Sequence, residues 1–185
     1  MSFETPNQPE RNTVSAAARF FLTVAAFLCA SSAAAQTAAP RRCADDPEHH
    51  RFDFWIGEWN VTTPDGQPVG SSVIQSVSGG CAILENWIDR RGGTGKSLNG
   101  YNPVLKQWQQ FWIGQGGEVS EYRSSQFDGK SLAFFIKDDA KPLVLHRLTF
   151  TPIDSLTVRQ HSENSDDGGK SWKTEYDFYY HRKAS

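Results

Sequence analysis

From residue 57 onward the chain is cut at short, even intervals by turn-forming residues. The breaks are Pro64-Asp65-Gly66, Gly79-Gly80, Gly92-Gly93, Asn102-Pro103, Gly116-Gly117, Asp128-Gly129, Lys141-Pro142 and Asp166 to Gly169. Between them lie short stretches rich in β-branched and aromatic residues, a pattern that predicts strands. Ten segments are expected, near 57–63, 68–77, 80–90, 94–101, 106–113, 117–127, 130–137, 142–151, 154–163 and 171–182. No stretch of this part keeps a helical period. Many evenly spaced strands joined by short turns predict an up-and-down meander, which must close into a barrel or expose its edges. The expected fold is therefore all-β, a closed antiparallel up-and-down barrel of about ten strands.

Alternation is cleanest in the outer segments. Gly57, Trp59, Val61 and Thr63 share one face of the first strand. Trp172, Thr174, Tyr176, Phe178, Tyr180 and Arg182 share one face of the last, and Leu156 and Val158 one face of the strand before it. These faces are expected to point inward. In a closed meander with an even strand count, the first and last strands are antiparallel neighbours. That places Trp59 beside Arg182 at one end, where a cation–π contact would stabilise closure by up to about 2 kcal/mol if desolvated.

The 185 residues divide by composition near position 36. Residues 1–35 have the layout of a signal peptide: a polar start with Arg11 and Arg19, an apolar run over Phe20–Ala30, and small residues at Ala33-Ala34-Ala35. The apolar run is shorter than the roughly 20 residues that span a bilayer. An uncleaved anchor is the alternative. Cys29 lacks the small flanking residues of a lipidation site, since Ala26-Phe27-Leu28 precedes it. The reading is an exported product, periplasmic or secreted, with no membrane span after cleavage. Residues 36–51 would be a linker and lead, with one helical turn at 45–50, and 52–185 the barrel. Cys43 and Cys81 then remain, the usual setting for a structural disulfide. Its loop would contribute roughly 4 kcal/mol in the chain-entropy model; two free thiols are the alternative. The formal charge of −2, with both signs interspersed, argues against nucleic acid as a partner.

Gly57-Glu58-Trp59 and Arg182 resemble the Gly-x-Trp and closing Arg of lipocalins and the wider calycin group. Phe52-Asp53-Phe54-Trp55-Ile56-Gly57-Glu58-Trp59 and Gly80-Cys81-Ala82-Ile83-Leu84-Glu85-Asn86-Trp87 are similar to motifs of a family of uncharacterised exported bacterial domains. So are Gly95-Lys96-Ser97-Leu98-Asn99, Tyr101-Asn102 and Trp108. The resemblance covers nearly all of the part after the signal and implies a calycin-like barrel with Gly57, Trp59 and Arg182 in architectural roles. Haem-binding nitrobindins are also ten-stranded barrels, but their glycine-rich Gly-x-Gly-x-Tyr-Pro stretch is absent; Asn60-Val61-Thr62-Thr63-Pro64 stands in its place. No cofactor is therefore expected. Ser165, Asp167, Gly169 and Trp172 fit the Asp-box hairpin of sialidase propellers and other β proteins. A single copy reads as a turn device, because Asp and Ser side chains bond turn amides.

Neither a nucleophile elbow, a P-loop nor a dinucleotide fingerprint occurs after residue 36. His49-His50 with Asp45, Asp46 and Glu48 matches no zinc spacing and reads as a solvated lead rather than a metal site. In the middle strands Glu85 and Trp87 alternate on one face, as do Ser97, Asn99 and Tyr101, then Trp108, Gln110 and Trp112, then Glu121 and Arg123; His146 shares a face with Leu148 and Phe150. If those faces point inward, they make an aromatic cavity with a few polar groups, the usual make-up of a small-molecule site. Glu85, Trp87, Tyr101, Trp108, Trp112, Arg123 and His146 are the candidate lining, with Arg123 able to receive a ligand carboxylate. The expected function is binding of a small apolar or amphipathic molecule. The alternatives are a filled barrel that serves as a structural or protein-partner module, and an enzyme using Glu85 or Glu121 with His146 and Arg123.

Overall fold

A computed structural model describes residues 43–137 and 141–184. The signal-peptide expectation for residues 1–35, Cys29 included, and the first part of the linker lie outside the described residues. Ten strands follow three short 3₁₀ turns, Cys43–Asp45, Pro47–His50 and Asp53–Trp55. The strands are β1 Gly57–Thr62, β2 Pro68–Val77, β3 Ala82–Asp89, β4 Thr94–Asn102, β5 Gln107–Gly114, β6 Val119–Phe127, β7 Leu132–Lys137, β8 Leu145–Pro152, β9 Thr157–Ser165 and β10 Lys173–Arg182. They form the closed antiparallel barrel that the turn spacing predicts, each strand paired with its chain neighbours and β1 with β10.

Closure pairs Trp59 with Arg182, and the guanidinium carbon lies 4.3 Å from the Trp59 ring centroid. Arg182 is exposed, so the contact belongs near the lower end of the cation–π range, about 0.5–1 kcal/mol. The same guanidinium fixes the identity of residue 57. Gly57 has φ of 148°, and a Cβ there would run into the Arg182 side chain. Glycine is required both by the backbone conformation and by the close approach.

The register shifts at three places among the described residues, one of them where β1 meets β2 at Val61–Thr62, and the two in β10 and β6 bear on the inward faces. In β10 the register shifts between Thr174 and Tyr176. Tyr176 and Phe178 face inward, whereas Thr174 pairs with Glu163 and bonds His161 at 3.0 Å on the outer surface. Trp172 likewise lies outside, under the Arg147 guanidinium at 4.1 Å. The inward face expected to run unbroken from Trp172 to Arg182 is thus interrupted at the bulge, because one extra residue reverses the parity beyond it. In β6 the register shifts between Arg123 and Gln126. Leu156 is another departure: it is exposed in the turn before β9, and only Val158 of the expected pair is core.

The lead folds into one mouth of the barrel. Phe52 and Trp55 are fully buried and stack at 4.9 Å between centroids. Around them pack Trp108, Phe134, Phe150 and Tyr180, with centroid distances of 4.7 to 5.8 Å. The Trp59 indole N–H donates to the Trp55 carbonyl at 2.9 Å, and that of Trp108 to the Glu48 carbonyl at 3.2 Å. The Cys43–Cys81 disulfide ties the start of this plug to the turn that precedes β3.

Candidate functional site

The opposite mouth has no such plug among the described residues. It leads into a cavity of about 270 Å³ lined by Glu85, Trp87, Gln110, Trp112, Ser120, Tyr122, Leu148, Gln160, Glu175, Tyr176, Phe178 and Tyr180. Each strand contributes through its inward parity. Glu85 pairs with Ser97, which pairs with Trp112, which pairs with Ser120, so one inner row crosses four strands. The rings of Trp87 and Phe178 stack with planes 8° apart and centroids 6.4 Å apart, and Tyr176 stacks on Phe178 at 4.6 Å.

Room for the two tryptophans comes from glycines on neighbouring strands. A Cβ at Gly95 would strike the Trp112 ring, and one at Gly70 would meet Trp87 at 2.8 Å. Gly95 also pairs directly with Trp87. The interior at this level therefore consists of rings laid over bare backbone.

Glu85 stands at the inner end of the cavity, only 3 % exposed. Its carboxylate accepts from the Ser72 hydroxyl at 3.1 Å and from the Ser97 hydroxyl at 3.0 Å. The Tyr180 hydroxyl lies 3.4 Å from it but donates more closely to the Gln160 side chain, at 2.8 Å. The chain continues laterally: Asn99 donates to Ser97 at 3.0 Å and to the Ile83 carbonyl at 3.2 Å, and Gln110 donates to Asn99 at 2.7 Å. Burial pushes the Glu85 carboxyl up to about 7, against the opposing effect of the hydrogen bonds it accepts. Burial also raises Tyr180 and Tyr176, so both stay neutral phenols across the physiological range. Nearer the mouth, exposed Glu175 accepts from Ser162 at 2.9 Å.

Of the seven expected lining residues, Glu85, Trp87 and Trp112 line this cavity. Tyr101 and Trp108 also sit on inward rows, but at the plugged end. There Trp108 is core, and Tyr101 meets the His49 ring edge-on at 5.2 Å. His146 shares the inward parity of Leu148 and Phe150 near the open rim, outside the lining set. Arg123 requires a correction. Ser120, Tyr122 and Ser124 occupy the inner positions of β6, which turns Glu121 and Arg123 outward, where they pair at 2.7 Å. Apolar Val119 on the outer face had obscured that parity. Glu121 and Arg123 consequently do not assemble with Glu85, and His146 is not among the residues that line its cavity.

Sequence reasoning missed Glu175, Tyr122 and Gln160. Glu175 is the extra residue of the β10 bulge, and a strict period of two assigns it to the outer surface. No signal in the sequence marks it, since Asp177, between Tyr176 and Phe178, is the acid with inward aromatics on both sides and it faces outward to Arg159. The Ser165–Trp172 hairpin lies at the same end. Asp167 accepts from the backbone of Lys170 and Ser171, both at 2.9 Å, and Trp172 donates to the Gly169 carbonyl at 3.1 Å. The Ser171 hydroxyl and amide, with the Ser165 hydroxyl, hold the Asp167 carboxyl down at about 2. In the lead, His49 lies 3.4 Å from Asp46 and His50 2.6 Å from Asp53. Among the described residues no group of three or more His, Cys, Asp or Glu converges as a metal site, and no helix is long and apolar enough to cross a membrane.

Compared with known proteins, the chain matches no family model and no curated sequence. The cavity's own chemistry therefore carries the functional argument.

Proposed function

We propose that this barrel is an exported binding protein that takes a small, partly apolar molecule into its open-end cavity. We further propose that it belongs with the exported bacterial calycin-like domains whose motifs it resembles. The observation that carries the binding reading is the cavity: aromatic walls around a buried, hydrogen-bonded acid. A filled barrel would place apolar side chains where Glu85, Gln110 and Gln160 stand. The volume, just below the usual range of ligand pockets, suits a compact molecule. The Cys43–Cys81 disulfide supports an oxidising compartment, consistent with export.

A second reading, a protein-partner module, is favoured by one feature of the outer surface. Leu98 and Phe111 face each other across β4 and β5, Ile113 and Val119 across β5 and β6, and all four are exposed. Native mass spectrometry separates the readings. The full chain is expressed in a host with an export pathway and purified without denaturation. A reproducible small adduct, lost on unfolding and depleted in Trp87→Ala, is the expected result. A bare mass at twice that of one chain would favour the partner module instead.

A further inference from the structure

The charge inside the cavity is of one sign. Glu85 stands at its inner end and Glu175 near its mouth, and no Lys, Arg or His is among the described residues that line it. The arginines of the neighbouring strands are turned outward, and His146, on the inward row of β8, is not among the residues that line the cavity. Arg123 pairs with Glu121, Arg147 with Glu163 and Arg159 with Asp177 on the external surface. An anionic ligand would meet two carboxylates and no cation.

The walls between these acids are π faces: Trp87, Trp112, Tyr122, Tyr176 and Phe178. Aromatic faces attract cations, more strongly where water is excluded. Glu85 also has unused capacity. A carboxylate offers about four lone-pair sites, while Ser72 and Ser97 occupy two and Tyr180 is a long third. One strong acceptor position remains for a donor arriving from the cavity.

Resting on the small-molecule reading above, we propose that the ligand is a compact organic cation, an ammonium on an aromatic or aliphatic body, paired with Glu85 and flanked by Glu175. The body would lie against Trp87, Trp112 and Phe178, with the ammonium donating to the Glu85 carboxylate. The groups facing Glu85 are Ser72 from β2, Ser97 from β4, Gln110 from β5, Tyr122 from β6, Gln160 from β9, and Glu175, Tyr176 and Tyr180 from β10. None supplies a competing positive charge. An ammonium binds the ionised form of Glu85, so affinity should rise with pH as this acid, raised by burial to about 7, loses its proton.

The test is a calorimetric titration of the full chain with three probes of matched shape: phenethylamine, phenethyl alcohol and hydrocinnamate. The amine should bind at least about tenfold more tightly than the alcohol, with hydrocinnamate weakest. Its affinity should rise roughly tenfold between pH 6 and 8, while that of the alcohol stays flat. Glu85→Gln should abolish the amine's advantage. Glu175→Gln, at an exposed position, should reduce it by a few fold. If the alcohol or hydrocinnamate binds as well as the amine, or if Glu85→Gln leaves the preference intact, the cation proposal falls while the binding-protein reading stands. If no probe binds and native spectra are bare, both fall together.

Discussion

The two mouths of this barrel are built from the same ten strands and differ in what their inward rows carry. At one, Phe52 and Trp55 of the lead are fully buried against Trp59, Trp108, Phe134, Phe150 and Tyr180, and a disulfide holds the plug in place. At the other, the inward rows carry Glu85, Gln110, Ser120 and Gln160 beneath half-buried rings, and space remains. The difference teaches where stability and binding reside. Close-packed rings exclude water and hold the closure of β1 on β10, whereas the open end keeps polar groups that a tighter core would not tolerate unpaired.

The strongest way to break this comparison is to remove a ring from each end. Trp55→Ala should cost about 3–5 kcal/mol, because the surrounding rings and closed sheet cannot collapse into the void. Trp112→Ala, at the open mouth, should cost less than about 2 kcal/mol, since its ring is only half-buried and water can take its place. Urea denaturation followed by circular dichroism gives both values. Equal losses would mean that the two ends share the load and that the cavity belongs to the structural core.

A smaller effect, with a sign that identifies its source, comes from Glu85. Its folded value of about 7 lies above the ordinary carboxylate value of 4.5. Between these values the folded state binds more protons than the unfolded state, so stability falls as pH rises from about 4.5 to 7 and is level above. The contribution is on the order of 3 kcal/mol as an upper bound. Glu85→Gln should remove that slope. The variant should be more stable than the parent at pH 8, with the gap closing toward pH 5. A parent and variant with parallel pH profiles would show that Glu85 is ionised at no cost, contrary to a dry inner end of the cavity.

Much of the architecture was legible before any coordinates. Turn residues recur at nearly even spacing, and each break between strands costs a local conformation that few residue types supply. Closure followed from strand count, and the Trp59–Arg182 neighbourhood from closure. In β3, β4 and β5 the sets Glu85–Trp87, Ser97–Asn99 and Trp108–Gln110–Trp112 were legible as shared faces, but not which face points inward, because Leu98, Phe111 and Ile113 make the other face apolar too. Two further things were hidden. The bulges in β6 and β10 insert a residue whose cause is a three-dimensional fit, and a period of two has no term for them. The plug was hidden too: Phe52 and Trp55 stand out as a motif, but only the closed sheet shows which mouth they fill. The polar contacts of Glu85 depend on Ser72 and Tyr180, which lie 13 and 95 residues away in the chain.

The least effect is expected at Arg123, and it sharpens the comparison by testing which residues belong to the open end at all. Its side chain is 59 % exposed and pairs with Glu121 on the outer face. An exposed pair of this kind is worth about 0–1 kcal/mol, so Arg123→Ala should leave both the denaturation midpoint and the affinity for phenethylamine nearly unchanged. The register supports this from both sides. Tyr122 lies opposite Gln110 on β5, and Gln110 is buried in the inner row, while Arg123 lies opposite Gln109 on β5 and Phe135 on β7. A large loss of binding in Arg123→Ala would require β6 to present its other face to the cavity. That reversal would remove Ser120 and Tyr122 from the lining and restore a cation beside Glu85. The case for an ammonium ligand therefore depends on a one-residue choice of register in β6, which this substitution probes directly.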